Sequence, residues 1–297
     1  MESTPKAWQA TLAYWLECGL MFRSGSQLEF HTPPPRVRGG PSLARPSLAP
    51  PVLPVAPEER PPAPHRPLSS WAVPGDAGGS IPAQSQPPPP PPQEMIGARI
   101  ETPLPALVPA AERPAVLARM ATEVADCAQC PLAKTRTQTV FGVGTAEASV
   151  CFVGEGPGAE EDLRGEPFVG AAGRLLDQML HAIALERSQV FIANVVKCRP
   201  PGNRNPHTEE VLACQDYLFR QLEIIRPKVI FCLGKFALLC LTGHAEAVGQ
   251  ARGRSFSWRG IPVIASFHPA YYLRTPSRKR AAWEDLLRLM KQLHQTE

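Results

Sequence analysis

The sequence predicts an α/β domain, a parallel sheet covered by helices on both faces, behind a long proline-rich extension. Three observations carry this. Short apolar runs alternate with segments of helical period. The runs are continuously apolar, as strands buried on both faces require, rather than alternating with polar residues. And 24 of the 36 prolines in the 297-residue chain fall between His31 and Ala110. A stretch with proline at 24 of 80 positions sustains neither helices nor ladders, and it buries too little apolar surface to offset its ordering entropy. The foldable remainder, 111–297, has 187 residues and can hold one sizeable core.

In chain order, Trp8–Phe22 (WQATLAYWLECGLMF) has helical apolar spacing, so residues 1–30 are expected to carry one amphipathic helix. Residues 31–110 form a disordered linker that peaks at Pro87–Pro92 and is extended in polyproline fashion. Within 111–297, Ala115–Ala125 is helical and runs into Cys127. Ser149–Gly154 is a strand, Arg174–Leu185 a helix and Val190–Val196 a second strand. Thr208–Ile225 is a helix opened by Thr-Glu-Glu, followed by the strand Lys228–Gly234 and the helix Lys235–Leu241. Ile261–Phe267 is the fourth strand and Arg278–Leu293 the closing helix. Ligand-binding residues of such sheets sit in loops at the carboxyl ends of strands, here after Val153, Val196 and Phe267.

Composition narrows the class of protein. No apolar run approaches the roughly 20 residues that span a bilayer, and Gln9 and Glu17 interrupt the N-terminal apolar segment where a secretory signal would be uniform. A cytoplasmic protein with no membrane partner is expected, and its thiols read as metal ligands or buried groups rather than disulfides. The net charge of +4 is modest, but Val248–Trp283 contains no Asp or Glu and holds Arg252, Arg254, Arg259, Arg274, Arg278, Lys279 and Arg280. That is either a phosphate-facing surface or a solvated basic face.

Cys18 lies outside the foldable segment, and the seven cysteines within it divide into two sets. Cys127 and Cys130 form C-x2-C, and Cys198 and Cys214 follow in the loop after the second strand and on the next helix. Four thiolates suit Zn²⁺ or a [4Fe–4S] cluster, and spacing alone does not separate the two. Cys151, Cys232 and Cys240 occupy apolar positions and read as core thiols.

The three loops are unusual. Gly154-Glu155-Gly156-Pro157-Gly158 exposes backbone N–H groups to close approach, yet lacks the Lys-Ser/Thr of a Walker loop. The acidic run Glu160-Glu161-Asp162 behind it disfavours a nucleotide cofactor. Phe168, in Glu166-Pro167-Phe168-Val169-Gly170, is either a core plug or a stacking platform for a flat ligand. Asn194 interrupts an apolar strand, so its amide pairs either with a loop or with an amide-like ligand edge. His268 leaves the fourth strand inside the basic stretch, beside Tyr271, Tyr272 and Leu273, which could wedge a base stack.

Taken together, GEGPGAEED, EPFVG, the strand Asn194, KCRPPGNRNP and SFHPAYYLR, in that order with the four cysteines, resemble the family 4 (iron–sulfur) uracil-DNA glycosylases over about Ala115–Leu293. The resemblance implies a three-layer α/β/α sandwich around a four-stranded parallel sheet. It also implies a structural [4Fe–4S] cluster on Cys127, Cys130, Cys198 and Cys214. It implies a monofunctional DNA repair enzyme that flips uracil out of single- or double-stranded DNA and hydrolyses its N-glycosidic bond. In that reading Phe168 stacks on the base, Asn194 pairs with its O4 and N3–H, and His268 and backbone N–H groups near Gly154 and Gly156 support the departing anion. Tyr271, Tyr272, Leu273 and Arg274 contact DNA. The wider superfamily carries a water-activating Asp where this chain has Gly156, so Glu155 becomes a candidate for positioning the water or the loop, with Glu161 a further residue near the pocket. A monomer at the nucleoid is expected, with the N-terminal extension as a candidate docking segment for a protein partner.

The alternative within the same superfamily is a protein that binds or covalently traps uracil-DNA without turnover. That requires an inserted basic loop with a reactive His between the last two cluster ligands. Here that stretch is the short Arg199–Ala213, with His207 at a helix start.

Overall fold

The structure is a computed structural model describing residues 21–24, 27–30 and 103–295. Two compact units divide the chain, Met1–Thr32 with Pro89–Glu297, and Pro33–Pro88, the latter wholly outside the described residues. Most of the expected linker 31–110 and Trp8–Leu20 of the expected N-terminal helix also lie outside them. Where that helix is described it is corrected: Met21 and Phe22 belong to strand β1 (Met21–Ser24), paired antiparallel with β2 (Gln27–Phe30).

The main sheet contains β3 (Val143–Gly144), β4 (Val150–Gly154), β5 (Phe191–Asn194), β6 (Val229–Leu233), β7 (Phe256–Trp258) and β8 (Ile261–Ser266). Their order is β3-β5-β4-β6-β8-β7. The central four, β5-β4-β6-β8, are parallel and correspond to the four strands read from the sequence. The expectation of four strands is corrected at both edges, where β3 and β7 add antiparallel pairs and make a mixed six-stranded sheet. Sequence periodicity could not reveal strands of two and three residues. The β7–β8 hairpin closes through Arg259 and Gly260, both at positive φ (48° and 84°), as a two-residue hairpin turn demands.

The helices are α1 (Arg113–Ala125), α2 (Ala159–Arg164), α3 (Ala171–His181), α4 (Thr208–Ile225), α5 (Lys235–Thr242), α6 (Val248–Ala251), α7 (Pro269–Arg274) and α8 (Lys279–His294). Proline at N1 or N2 opens α1 and α7, where the missing N–H costs no intrahelical bond. At α4, Glu210 accepts the His207 N–H at 2.7 Å, and Arg226 closes the helix in the left-handed region. Strand side chains alternate between two cores. Cys151, Val153, Ile230 and Cys232 pack with α1, α4 and α5, whereas Val150, Phe152, Val229 and Phe231 pack with α3, α7 and α8. This is the three-layer sandwich. Cys151, Cys232 and Cys240 are core residues, as their apolar settings indicated. Among the described residues, no helix is long and apolar enough to cross a membrane.

One consequence of this order positions the site. From β4 the chain moves to β5 on one side and then returns to β6 on the other, which makes the carboxyl end of β4 the topological switch point.

Candidate active site

A cavity of about 540 Å³ opens at that switch point. It lies within the size range of small-molecule sites. Its walls come from the Gly156–Glu161 turn after β4, Phe168, Asn194 at the end of β5, and His268 and Arg274 after β8. All three unusual loops therefore converge.

Gly154 and Asn194 are cross-strand partners, and the ladder continues as the Val195 N–H donates to the Gly154 carbonyl at 2.9 Å. A Cβ at Gly154 would stand 2.4 Å from Asn194 Oδ1 and 2.5 Å from Phe168 Cζ, so only glycine lets the ring and the amide crowd the strand end. Asn194 is 1% exposed, yet its Oδ1 has no hydrogen-bond partner. A buried amide oxygen without a partner costs about 1–3 kcal/mol, and here it borders the cavity.

Phe168 has φ 54°, an uncommon conformation for a bulky residue, and several contacts hold it there. Arg187 donates to the Phe168 carbonyl at 3.1 Å and to the Pro167 carbonyl at 2.6 Å. Glu161 does not point its charge at the cavity as a free acid. Its Oε1 accepts the Val169 and Gly170 N–H groups at 2.9 and 3.0 Å, and its Oε2 accepts that of Gly158 at 3.1 Å. One carboxylate thus joins the glycine turn to the Phe168 loop. The structure makes it a positioning group.

His268 is the N-cap of α7, and its Nδ1 accepts the Ala270 N–H at 3.2 Å. The proton of the neutral ring is therefore on Nε2, which leaves that nitrogen a donor. Burial, and then the Arg274 charge, push its pKa down to about 4, so the ring is neutral at physiological pH. Its ring stacks on Phe168 at 5.4 Å between centroids. Burial pushes the Glu155 carboxyl up to about 7, with Lys235 opposing the shift.

The expected DNA-contact run splits. Tyr272 is corrected: it is fully buried, its hydroxyl 3.1 Å from Ser266 Oγ, because α7 turns that side chain onto the core beneath it. Tyr271 is half-buried against Phe267, at 4.5 Å between ring centroids. Leu273 is 43% exposed, and Arg274 borders the cavity. The basic stretch is also less free than its sequence suggests. Arg252 pairs with Asp285 and Glu284, Arg254 with Glu246, Arg259 with Glu223 and Arg280 with Glu284. These acids come from outside the stretch; Glu284 is an i,i+4 neighbour of Arg280, but Asp285 and Glu223 reach Arg252 and Arg259 from more than 30 positions away.

Cys127, Cys130, Cys198 and Cys214 line one small cavity. Burial pushes the Cys214 thiol up to about 12 and raises those of Cys130 and Cys198, with Arg136 opposing the shift at Cys198. Arg136 Nη1 lies 3.3 Å from Cys198 Sγ, and the Lys197 N–H donates to Cys214 Sγ at 3.2 Å. Donors aimed at buried sulfurs suit thiolate ligands. Among the described residues, no three His, Cys, Asp or Glu side chains are gathered as the ligands of a single ion.

Several residues that position the site escaped the sequence reading. Lys197 is fully buried, its Nζ donating to the Asn194 carbonyl at 2.9 Å and to Gln221 Oε1 at 2.6 Å. Arg204, at the cavity edge, is held by Glu210 through bonds of 2.7 and 2.8 Å. A lysine closing an apolar strand was the available signal for the first. Nothing local marks the second.

A doubly wound sheet with a glycine turn, an aromatic ring, a buried amide oxygen without a partner and a neutral imidazole at its switch point defines an α/β protein with a pocket suited to a planar, amide-like ring. Comparison with known proteins agrees and narrows the class. The sequence profile of the Uracil DNA glycosylase superfamily matches residues 141–287. A type-4 uracil-DNA glycosylase of Archaeoglobus fulgidus is 46% identical over 56% of this chain and 88% of its own length. One from Thermotoga maritima is 46% identical over 55% of this chain and 87% of its own. A type-5 uracil-DNA glycosylase of Pyrobaculum aerophilum is 30% identical over 49% and 78%. The chain belongs to the uracil-DNA glycosylase superfamily, among its type-4 members.

Proposed function

We propose that the cavity receives a uracil turned out of DNA and that the protein, a DNA repair glycosylase, hydrolyses the N-glycosidic bond to leave an abasic site. The observation that carries the reading is the buried, unpartnered Asn194 Oδ1 at the cavity wall. A uracil N3–H satisfies it, while the amide N–H₂ meets O4. Cytosine presents an acceptor at N3 and an amine at C4, so it would leave the amide mispaired. Such polar mismatches in a buried site discriminate by roughly 10⁴-fold.

Phe168 offers its face to the base. His268 donates from Nε2 to O2, where negative charge gathers as the C–N bond breaks, aided by backbone N–H groups of the glycine turn. Preorganised donors of this kind contribute about 3–4 kcal/mol each. The uracil leaves as an anion, and DNA phosphates stabilise the oxocarbenium-like sugar. Glu155 holds the attacking water. Leu273, Tyr271 and Arg274 face the duplex, with exposed Leu273 filling the gap left by the flipped base. Tyr272 supports them from the core.

Cys127, Cys130, Cys198 and Cys214 hold a [4Fe–4S] cluster. Their sulfurs line one cavity, and Arg136 and the Lys197 N–H are aimed at two of them, a setting that suits thiolate ligands. Bound there, the cluster would anchor the Cys198 loop, and no bond-breaking step passes through it.

The test is release of free uracil from U·G, U·A and single-stranded oligonucleotides, with alkali-labile abasic sites as the second readout. No uracil release by protein with its cluster intact refutes the reading. An SDS-resistant protein–DNA adduct without release would indicate trapping instead.

A further inference from the structure

The contacts that fasten the cysteine cavity continue, through a second buried acid, to the loop that carries Phe168. Arg136 closes the cavity's rim, its Nη1 donating to the Cys127 carbonyl at 2.7 Å and its Nη2 to the Ala125 carbonyl at 3.1 Å, beside the Cys198 contact. The next residue, Thr137, donates its N–H to Asp162 Oδ1 at 2.9 Å and its hydroxyl to Asp162 Oδ2 at 2.8 Å. Gln138 adds a parallel tie, its Nε2 donating to the Leu163 carbonyl at 2.6 Å. Asp162 and Leu163 belong to α2, together with Glu161, which grips the amides of Val169 and Gly170.

Asp162 is 3% exposed, and Thr137 occupies both of its carboxylate oxygens. Burying a carboxylate costs several kcal/mol, and an apolar pair of similar shape would hold two segments together as well or better. Its fixed geometry is what an apolar pair would lack. Charge-assisted bonds are short and directional, so they set the position of α2 more narrowly than packing alone.

We propose that Asp162 is a positioning residue for base excision: by clasping Thr137 it holds α2, and through Glu161 the Phe168 loop, in register with the segment that Arg136 fastens to the cysteine site. Asp162 does this without touching the base. This rests on the reading of the cavity as a uracil pocket.

The experiment measures single-turnover uracil release, half-saturating DNA concentration, iron content and visible absorbance for the wild type, Asp162→Ala, Asp162→Asn, Thr137→Ala and the Thr137→Ala/Asp162→Ala double variant. A misplacement of about 1 Å costs on the order of a hundredfold in rate. Asp162→Ala is therefore expected to be about ten to a hundred times slower. Its half-saturating DNA concentration should stay within about threefold, since the DNA-facing groups are untouched, and its iron and absorbance should equal the wild type's. Asp162→Asn should recover most of the rate. Its oxygen still accepts the Thr137 N–H, and its amide donates to the hydroxyl, which becomes the acceptor. The double variant should be no slower than the slower single variant.

Asp162→Ala with a wild-type rate overturns the inference. So does loss of rate in step with loss of iron, equal loss in the Asn variant, or losses that multiply in the double variant. A wild type that releases no uracil fails the functional reading itself, whereas an active wild type matched by Asp162→Ala fails the clasp alone.

Discussion

Gly154→Ala should cripple the pocket while leaving the sheet standing. The added Cβ would lie 2.4 Å from Asn194 Oδ1 and 2.5 and 2.8 Å from Phe168 Cζ and Cε2, against ordinary heavy-atom contacts near 3.5–4.0 Å. Ring and amide must together yield about 1 Å. The backbone behind each is held, so the ring and the amide yield into the cavity they line. Behind Phe168, α3 packs so closely that a Cβ on Gly173 would fall 1.8 Å from the Phe168 carbonyl oxygen, and Arg187 holds that carbonyl from the side. The Asn194 carbonyl is tied to Lys197. Overpacking of this kind costs about 1–3 kcal/mol. A domain of this size loses about 2–4 °C of melting temperature per kcal/mol. The loss of near-attack geometry costs on the order of a hundredfold in rate. Single-turnover uracil release and thermal melting read the two effects. Gly249→Ala is the control, since its Cβ meets only Phe267 Cζ at 3.6 Å. If Gly154→Ala releases uracil within about threefold of the wild-type rate, the close packing of ring, amide and strand end is not what shapes the pocket.

Other perturbations separate the roles. With the Glu155 carboxyl pushed up to about 7, uracil release should rise with pH through that value, and Glu155→Gln should be slower and flat across it. The same shift has the opposite sign for stability: a raised carboxyl pKa favours the folded state at low pH and loses that contribution as pH climbs from about 4.5 to about 7, so melting temperature should fall across this window more in the wild type than in Glu155→Gln. Tyr272→Phe should cost about 1 kcal/mol of stability through the lost bond to Ser266 and leave excision nearly unchanged. Leu273→Ala should do the reverse, slowing release from duplex DNA several-fold more than from single strands, since only the duplex has a gap to fill. Cys198→Ser should yield protein with reduced iron and absorbance near 400 nm and a lower melting temperature, as chelation of a structural metal does.

The four parallel strands, the helices that cover them and the three strand-end loops were legible in the sequence. Each is written locally, as a continuous apolar run, a helical period or a glycine turn. Phe168, Asn194 and His268 could be singled out because each breaks the pattern around it. Whether Phe168 plugged a core or faced a ligand, and whether the amide of Asn194 was already paired, could not be read locally, because both depend on segments far away in the chain. The same holds for Tyr272, which has the composition of a DNA-facing residue and the surroundings of a core residue. It holds too for Arg252 and Arg259 of the basic stretch, which are answered by Asp285 and Glu223 more than 30 positions away.

By itself, then, the order of residues determined the layered α/β architecture and the chemical groups available at the strand ends, since backbone pairing and apolar periodicity are properties of neighbours. The tertiary structure decided which of those groups face one cavity, which are buried beneath it, and how Glu161, Asp162 and Lys197 hold them there. Burial and charge pairing act through space, as between Asp162 and Thr137 or Lys197 and Gln221, which the chain sets more than twenty positions apart.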